Sequence, residues 1–318
     1  MMKRLPVVLI ALSFAGAAGA QSHAPAAAPH SDFEGIWNSG TATPLERPAQ
    51  FKDKEFFTPE EAADFQRQAA ARREDPKPGT VAKNFASYNG FFYEPGTTLP
   101  SRRTSIITDP PDGRIPALTP AAAAVKSRRL DAMHRPYVAA DLGLQDQCLV
   151  SVTAVPPMIP HIYNSNYQII VTDHDVMINS EMIHDTRVIR LGQSHLSPGV
   201  RLWMGDSVGH WEGGTLVVDT TNFNDAGGFF GDAGAMFGTD RNLHVVERFS
   251  LIDKATLLYR FEVDDPTAFT RLWKGELAMM RSSGPIYEYA CHEGNYSLTD
   301  LLDGTRALDR AEAASKKQ

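Results

Sequence analysis

Residues 244–264 read HVVERFSLIDKATLLYRFEVD, and this stretch decides the fold. Two runs of alternating apolar and polar residues flank a short polar turn, which is the pattern of a β-hairpin. Because side chains alternate across a strand, the turn pairs Phe249 with Tyr259 and Glu247 with Phe261, all on one apolar face. The hairpin therefore places a carboxylate, Glu247, on an inward face.

Further β-rich runs surround this hairpin and are separated by tight turns. Short strands at regular spacing predict a mainly β fold, an antiparallel meander that forms a lipocalin-like barrel or a sandwich. We predict these additional strands over residues 167–172, 175–179, 182–190, 201–210, 215–222, 270–281 and 286–290.

The N-terminal third contains two short helices that we expect to pack on the β domain. Thr58-Pro59-Glu60-Glu61 has the residues of a helix start and predicts a helix to about Arg73. Thr119-Pro120 predicts a second helix to about Met133. The predicted organisation is a wrapping segment over residues 32–150, an antiparallel β domain over 151–305 and a polar C-terminal tail over 306–318.

The N-terminus has the pattern of a secretory signal peptide. Residues 1–20 (MMKRLPVVLIALSFAGAAGA) combine a basic start, a short apolar run and a small-residue cleavage site. Residues 21–31 form a Pro/Ala linker that we expect to be disordered. The predicted location is therefore periplasmic or secreted, and no later run is long and apolar enough to predict a membrane span.

Composition excludes several classes of protein. The chain has 318 residues, 42% hydrophobic and 22% charged, which is enough apolar material for a core. Its net charge is -7, so the chain does not have the excess of basic residues that is typical of a nucleic-acid-binding protein. There is no P-loop, Rossmann glycine fingerprint or G-x-S-x-G elbow, so no organic cofactor is predicted.

The chain has two cysteines, Cys148 and Cys291. In an oxidising compartment two distant thiols most often pair, so we predict a disulfide between them. The alternative is a reactive thiol, but neither residue lies in a catalytic-cysteine signature.

Two motifs resemble a family of secreted bacterial proteins. They are WMGDSVGHWEGGTLVVDTTNF at 203–223 and YEYACHEGNY at 287–296. The resemblance covers most of the mature chain and implies secretion, without implying an activity. Val208 stands where the family pattern has Arg, and Gly214 where it has Asp. The Gly35-x-Trp37 pair also resembles the first strand of lipocalin-like barrels.

The leading candidates for catalysis are His184 and Glu247. Burial of Glu247 on an apolar face raises the pKa of a carboxyl group, which suits a general acid or base. A structural ion pair with a buried arginine is the alternative for Glu247. His184 lies on the predicted strand 182–190 and ordinarily titrates near neutral pH, although a hydrogen-bonded core histidine is an equally good interpretation.

Two further carboxylates are candidates. The predicted turn at Glu212-Gly213 places Asp206 opposite Asp219, where they repel unless one is protonated or a cation lies between them. Paired carboxylates suit glycoside hydrolysis but also calcium or structural sites. His292 is a weaker catalytic candidate at the end of the predicted last strand.

These residues lead to three hypotheses about function. The first is a cofactor-independent acid–base enzyme, a lyase, isomerase or hydrolase, acting on a small, partly apolar molecule such as an aromatic, terpenoid or glycoside. The second is a lipocalin-like binding protein without turnover, and the third is a carbohydrate-binding envelope module. No metal is predicted, since no histidine has chelating spacing, and the oligomeric state is left open. The predicted substrate-binding residues are Tyr163, Asn164, Arg187, Trp203, Trp211 and Tyr259.

Overall fold

The structure is a computed structural model that describes residues 30–51, 53–71, 96, 98–161, 163–225, 241–294 and 296–316. The predicted signal peptide and nearly all of the predicted linker lie outside the described residues. None of the described helices combines the length and the apolarity needed to cross a lipid bilayer.

Ten strands form one sheet, and nine of them close into a barrel. In chain order they are β1 (Gly35–Asn38), β2 (Ile107–Asp109), β3 (Asn166–Val171), β4 (Asp175–Ser180), β5 (Thr186–Leu191), β6 (Asp206–Glu212), β7 (Thr215–Thr221), β8 (His244–Asp253), β9 (Thr256–Asp264) and β10 (Trp273–Ser282). The order around the barrel is β1-β3-β4-β5-β6-β7-β8-β9-β10, and pairing of β1 with β10 closes it. The extra strand, β2, pairs with the start of β10. The predicted mainly β fold is confirmed, and it is a barrel and not a sandwich.

One neighbouring pair in the barrel is parallel. β5 and β6 run in the same direction, with Ile189 beside Ser207, while the other neighbouring strands of the ring are antiparallel. The connection 192–205 therefore returns the chain to the end of the barrel where β5 begins. The predicted strand over 201–210 is wrong in its first part, because this return path occupies those residues.

The predicted hairpin over residues 244–264 is confirmed, and its strands are β8 and β9. Phe249 pairs with Tyr259, and Glu247 pairs with Phe261. The inward residues of both strands are buried, as period-two alternation requires.

Aromatic side chains fill much of the barrel interior. The ring of Phe261 lies against Trp273 and Tyr259, with centroids 5.7 and 5.5 Å apart. A Cβ atom at Gly275 would lie 2.1 Å from the Phe261 ring, so the sheet needs glycine there. The other large, fully buried side chains of the strands are Trp37, Ile107, Tyr167, Ile189, Phe249, Leu257 and Met279.

An irregular segment, residues 150–161, also reaches the barrel interior. Residues 151–159 are all buried, and the amide of Met158 donates to the hydroxyl of Tyr259. We call residues 150–161 the interior segment. Its contact with Tyr259 means that part of the barrel core comes from outside the strands.

The structure describes three α-helices: α1 (Pro59–Ala71), α2 (Pro120–His134) and α3 (Ser297–Ser315). Thr119 caps α2 as predicted, since its hydroxyl accepts from the amide of Ala122. The predicted helix start at Thr58 is also correct, while Arg73 lies outside the described residues. The expected polar tail is instead the second half of α3, which has no side-chain N-cap at Tyr296 and was therefore missed. The predicted strand over 286–290 is irregular.

The predicted disulfide is present. Cys148 and Cys291 are bonded, with Cα atoms 6.1 Å apart and 143 positions apart in sequence. The bond joins the chain just before the interior segment to the chain that follows β10, so it crosslinks the two flanks of the barrel.

We expect replacement of both cysteines by serine to lower the free energy of unfolding by about 2–5 kcal/mol, because the open chain gains entropy when unfolded. Guanidinium denaturation followed by circular dichroism measures this loss. Wild-type protein reduced in the same denaturant should match the double variant. An unchanged midpoint in both samples would contradict the expectation.

Candidate functional site

Glu247 lies in a fully buried polar network in the barrel. Both of its oxygens accept hydrogen bonds from Arg187, at 2.5 and 3.0 Å, and Oε1 also accepts from the hydroxyl of Tyr259 at 2.8 Å. Tyr259 in turn accepts from the amide of Met158 at 2.9 Å. Arg187 and Glu247 are only 3% and 0% exposed. The alternative interpretation of Glu247 as half of a structural ion pair is the one that the structure supports.

Electrostatics favour the charged form of Arg187. Burial alone lowers the pKa of Arg187, but attraction and hydrogen bonds from Glu247 outweigh it, and the net shift is upward. Burial, together with the charge of Glu247, raises the pKa of Tyr259 well above its ordinary value. Arg187 and Tyr259 therefore hold the carboxylate in place, and no group in the network is exposed to a substrate in solution.

His184 does not join Glu247. The predicted strand 182–190 begins only at Thr186, and Met182–His184 form a short 3₁₀ turn before it. His184 is exposed on this turn, whereas Glu247 is enclosed. The structure therefore does not bring the expected proton-transfer pair together. His184 has the parity of Thr186 and Val188, the exposed residues of β5, while Arg187 and Ile189 take the interior face.

The turn itself is strained. Ile183 and His184 have φ values of 61° and 48°, and a β-branched residue such as Ile183 strongly disfavours that region. Asp185 follows, and its Oδ2 atom is buried with no hydrogen-bond partner among the described residues. Burial raises the pKa of Asp185 to about 6, against the opposing charge of His184.

A second polar cluster runs across the strands around Asp206. The carboxylate of this buried residue accepts from Arg190 at 2.7 Å, from the Leu196 amide at 2.7 Å and from His195 Nδ1 at 3.0 Å. The other ring nitrogen of His195, Nε2, lies 2.9 Å from Oδ1 of Asp219. Ionised carboxylates only accept hydrogen bonds, so the form of His195 that satisfies both contacts carries a proton on each nitrogen.

His244 completes the cluster at the start of β8. Its Nε2 lies 2.9 Å from Oδ2 of Asp219, so Asp219 lies between two imidazoles. We call these four residues the imidazole–carboxylate chain: Asp206, His195, Asp219 and His244. Asp206 is 4% exposed, while Asp219 and His244 are 42% and 39% exposed. The imidazole–carboxylate chain therefore runs from a buried aspartate to a half-exposed histidine at the surface of the protein.

The predicted register of β6 and β7 is wrong by two residues. Asp206 pairs with Thr221, and Asp219 pairs with Val208, because both Gly213 and Gly214 form the turn. The two carboxylates still meet, through His195. The condition stated from the sequence was that one carboxyl is protonated or that a cation lies between the two. The structure places the imidazole of His195, which the sequence analysis did not select, between the two carboxylates.

The pKa shifts divide the roles within the cluster. Burial acts to raise the pKa of Asp206, but the Leu196 amide, Arg190 and His195 outweigh it and hold that pKa below its usual range. The hydrogen bond from His244, followed by that from His195, lowers the pKa of Asp219. The same bond to Asp219 raises the pKa of His244. The aspartates are thus favoured in their ionised forms, and the protonated form of His244 is stabilised.

The chemistry available here is proton transfer. In the described part of the chain, the side-chain partners of His195 and His244 are carboxylates and not hydroxyl or thiol groups. No group of metal-binding side chains is found among the residues that the structure describes. Because both aspartates have lowered pKa values, neither suits the protonated acid of a glycosidase.

The remaining predicted residues are dispersed. His292 is exposed beside the disulfide. Trp211 stacks on His30 with ring centroids 3.7 Å apart, and Tyr163 contacts His161 edge to face. Asn164 lies nearby in sequence with a φ of 52°.

Trp203 lines a cavity of about 270 Å³ beside α2. Met133, Leu142, Leu144 and Leu149 give this cavity an apolar wall. Arg129, which also lines it, donates a hydrogen bond to the Asp225 carbonyl, and the Asp225 carboxylate pairs with Arg241. Arg241 lies three residues before His244 in sequence, so these contacts run from the cavity to the residues that precede β8.

Sequence reasoning missed His195 and His244. His244 is the first residue of the hairpin and lies on its outward face. The alternation that places Glu247 on the inward face also places His244 outward, so the sequence pattern could have identified it. His195 lies in the connection 192–205, where no periodicity places a side chain.

We expect Glu247→Leu to lower the free energy of unfolding by about 3–5 kcal/mol, because Arg187 is left buried and unpaired. The double variant Arg187→Met/Glu247→Leu should recover most of that loss. Urea denaturation of the two variants tests this, and equal stability of single and double variants would contradict it.

We expect Asp185→Asn to stabilise the protein at about pH 8. The pKa of Asp185 is higher in the folded chain than its ordinary 3.8, so stability is lost as pH rises through about 6. The gain should be about 1–3 kcal/mol, at about 1.4 kcal/mol per pKa unit, and should shrink at about pH 4. Urea midpoints at both pH values measure it, with the exposed Asp173→Asn as control. A gain that is the same at both pH values would argue against the raised pKa.

Comparison of the chain with family models, with curated proteins and with solved structures finds no match. The assignment of a function therefore rests on the geometry of the chain's own residues.

Proposed function

We propose that the protein is a secreted acid–base enzyme of the lyase, isomerase or hydrolase type, with His244 as its proton-transfer group. Its substrate is a small, partly apolar molecule, and no organic cofactor takes part. The observation that carries the proposal is the imidazole–carboxylate chain, which ends at a half-exposed histidine.

The arrangement suits His244 for this role in two ways. Asp219 accepts from Nε2 at 2.9 Å and fixes the ring, which leaves Nδ1 without a hydrogen bond to the described residues. The raised pKa keeps the imidazolium populated near neutral pH, where it can donate a proton to a substrate and take one back. His195 contacts Asp219 with one ring nitrogen and Asp206 with the other, and its hydrogen bond helps to keep Asp219 ionised.

The cavity beside α2 supports the apolar part of the substrate. Its leucine, methionine and tryptophan side chains offer contact to a ring or a short hydrocarbon, and Arg129 adds a charge that fixes orientation. The disulfide, together with the signal-peptide pattern, supports an extracellular or periplasmic location.

A second candidate function is small-molecule binding without turnover. The cavity with Trp203 favours it, since an apolar wall with a few polar groups is typical of ligand sites. In that case the ligand occupies the cavity beside α2 and not the aromatic barrel interior that a lipocalin uses.

We expect His244→Gln to lower turnover by about 10²- to 10⁴-fold, because it removes the proton-transfer group. The probes are 4-nitrophenyl esters and glycosides for hydrolysis, and exchange of carbon-bound protons of small aromatic ketones in D₂O for isomerase or lyase chemistry. His210→Gln is the matched control, since His210 is an exposed histidine paired only with Glu212. Full activity in His244→Gln would contradict the proposal, and binding of the ketones without turnover would favour the second candidate.

The pKa of His244 gives a test that needs no substrate. The NMR chemical shift of its Cε1 proton, followed against pH, should give a pKa above the ordinary histidine value of about 6.5 in the wild type. Asp219→Asn should lower that pKa, since it removes the largest cause of the shift, and should move the pH profile of turnover the same way. A titration that is identical in both proteins would contradict the assigned role of Asp219.

A further inference from the structure

A second groove lies on the outward face of β8, β9 and β10, beside β2. Its volume is about 260 Å³. Four of the side chains that line it are cationic and two are carboxylates: Arg103, Arg248, Arg260, Lys274, Glu262 and Glu276. The groove therefore carries an excess of positive charge in a chain whose overall charge is negative.

Both carboxylates of the groove are already paired. Glu276 accepts from Arg103 Nε at 2.9 Å and from Arg260 Nε at 2.6 Å, and these two bonds use both of its oxygens. Glu262 pairs with Lys274 at 2.9 Å. Glu276 therefore has a hydrogen bond on each oxygen and Glu262 an ion pair on one oxygen, and neither carboxylate accepts from Nη1 of Arg248.

Arg248 is the cation that these pairs leave out. It lies directly opposite Arg260 in the register of β8 and β9. Its Nη1 atom is buried and has no hydrogen-bond partner among the residues that the structure describes. Like charges directly opposite each other destabilise a sheet, and a buried donor without an acceptor costs free energy.

We propose that this groove binds an oxyanion group, a phosphate or a sulfate, with Arg248 as its principal ligand. An oxyanion between Arg248 and Arg260 accepts hydrogen bonds from the unpaired guanidinium and removes the repulsion between the two arginines. Lys274 and Arg103 also line the groove but are already paired with carboxylates, so the positive charge left for the anion is that of Arg248. The site is separate from the imidazole–carboxylate chain, and its occupancy does not depend on the proposed enzymatic function.

Binding of inorganic phosphate and of sulfate to the oxidised mature chain, followed by calorimetry and by NMR at constant ionic strength, tests the proposal. Arg248→Gln should weaken binding at least tenfold. Arg306→Gln is the matched control, because it removes an arginine on α3 that pairs with Asp303. Methyl phosphate separates the two sources of the group. Tighter binding than inorganic phosphate assigns the groove to phosphate esters, and weaker binding assigns it to the free ion.

A second measurement guards against a variant that fails to fold. Arg248→Met removes both the repulsion and the unsatisfied donor, so without anion its melting temperature should equal or exceed that of the wild type. Phosphate should raise the melting temperature of the wild type and leave that of Arg248→Met unchanged. The proposal is overturned if millimolar phosphate does not bind the wild type, or if it binds or stabilises the Arg248 variants to the same extent.

Discussion

The ion pair between Arg187 and Glu247 is the constraint on which the barrel interior depends. A buried charge is tolerated only when its partner and its hydrogen bonds are complete, and here they come from different parts of the chain. β5 supplies the guanidinium, β8 the carboxylate, β9 the hydroxyl of Tyr259, and the interior segment the amide of Met158. The interior must therefore be assembled from all four parts together, which makes it a structural core.

The outward face carries the groups that remain available. Asp219 and His244 alternate with the buried residues of β7 and β8, so the strand geometry that fills the interior also exposes these two side chains. His195 reaches them from the connection 192–205 and joins them to Asp206. The same face, farther round the barrel, presents Arg248 and its neighbours. Two differently charged sites thus share one barrel without a common residue.

Local patterns predicted much of the fold. The β8–β9 hairpin follows from two-residue alternation around a short turn, and the start of α2 follows from Thr119 and Pro120. The disulfide follows from two lone cysteines in a chain whose N-terminus has the sequence pattern of a signal peptide. The residues of the candidate site were harder to predict from the sequence. The expected pairing of His184 with Glu247 failed because the pattern of residues 182–190 does not show which face of the strand points inward, and Arg187 and Ile189 take the interior. His195 is placed by tertiary contacts in an irregular connection, and the pairing of Asp206 shifted because two glycines, not one, make the turn.

The number of strands in the barrel requires a parallel pair such as β5–β6. A closed ring of strands that alternate in direction must have an even number of members, and this ring has nine. One neighbouring pair must therefore point the same way, and the chain between its two strands must travel back along the barrel. That obligatory return is the connection 192–205, the segment that carries His195. The odd parity of the barrel thus creates the segment that bridges the two aspartates, and gaining or losing one strand would remove the geometric need for it.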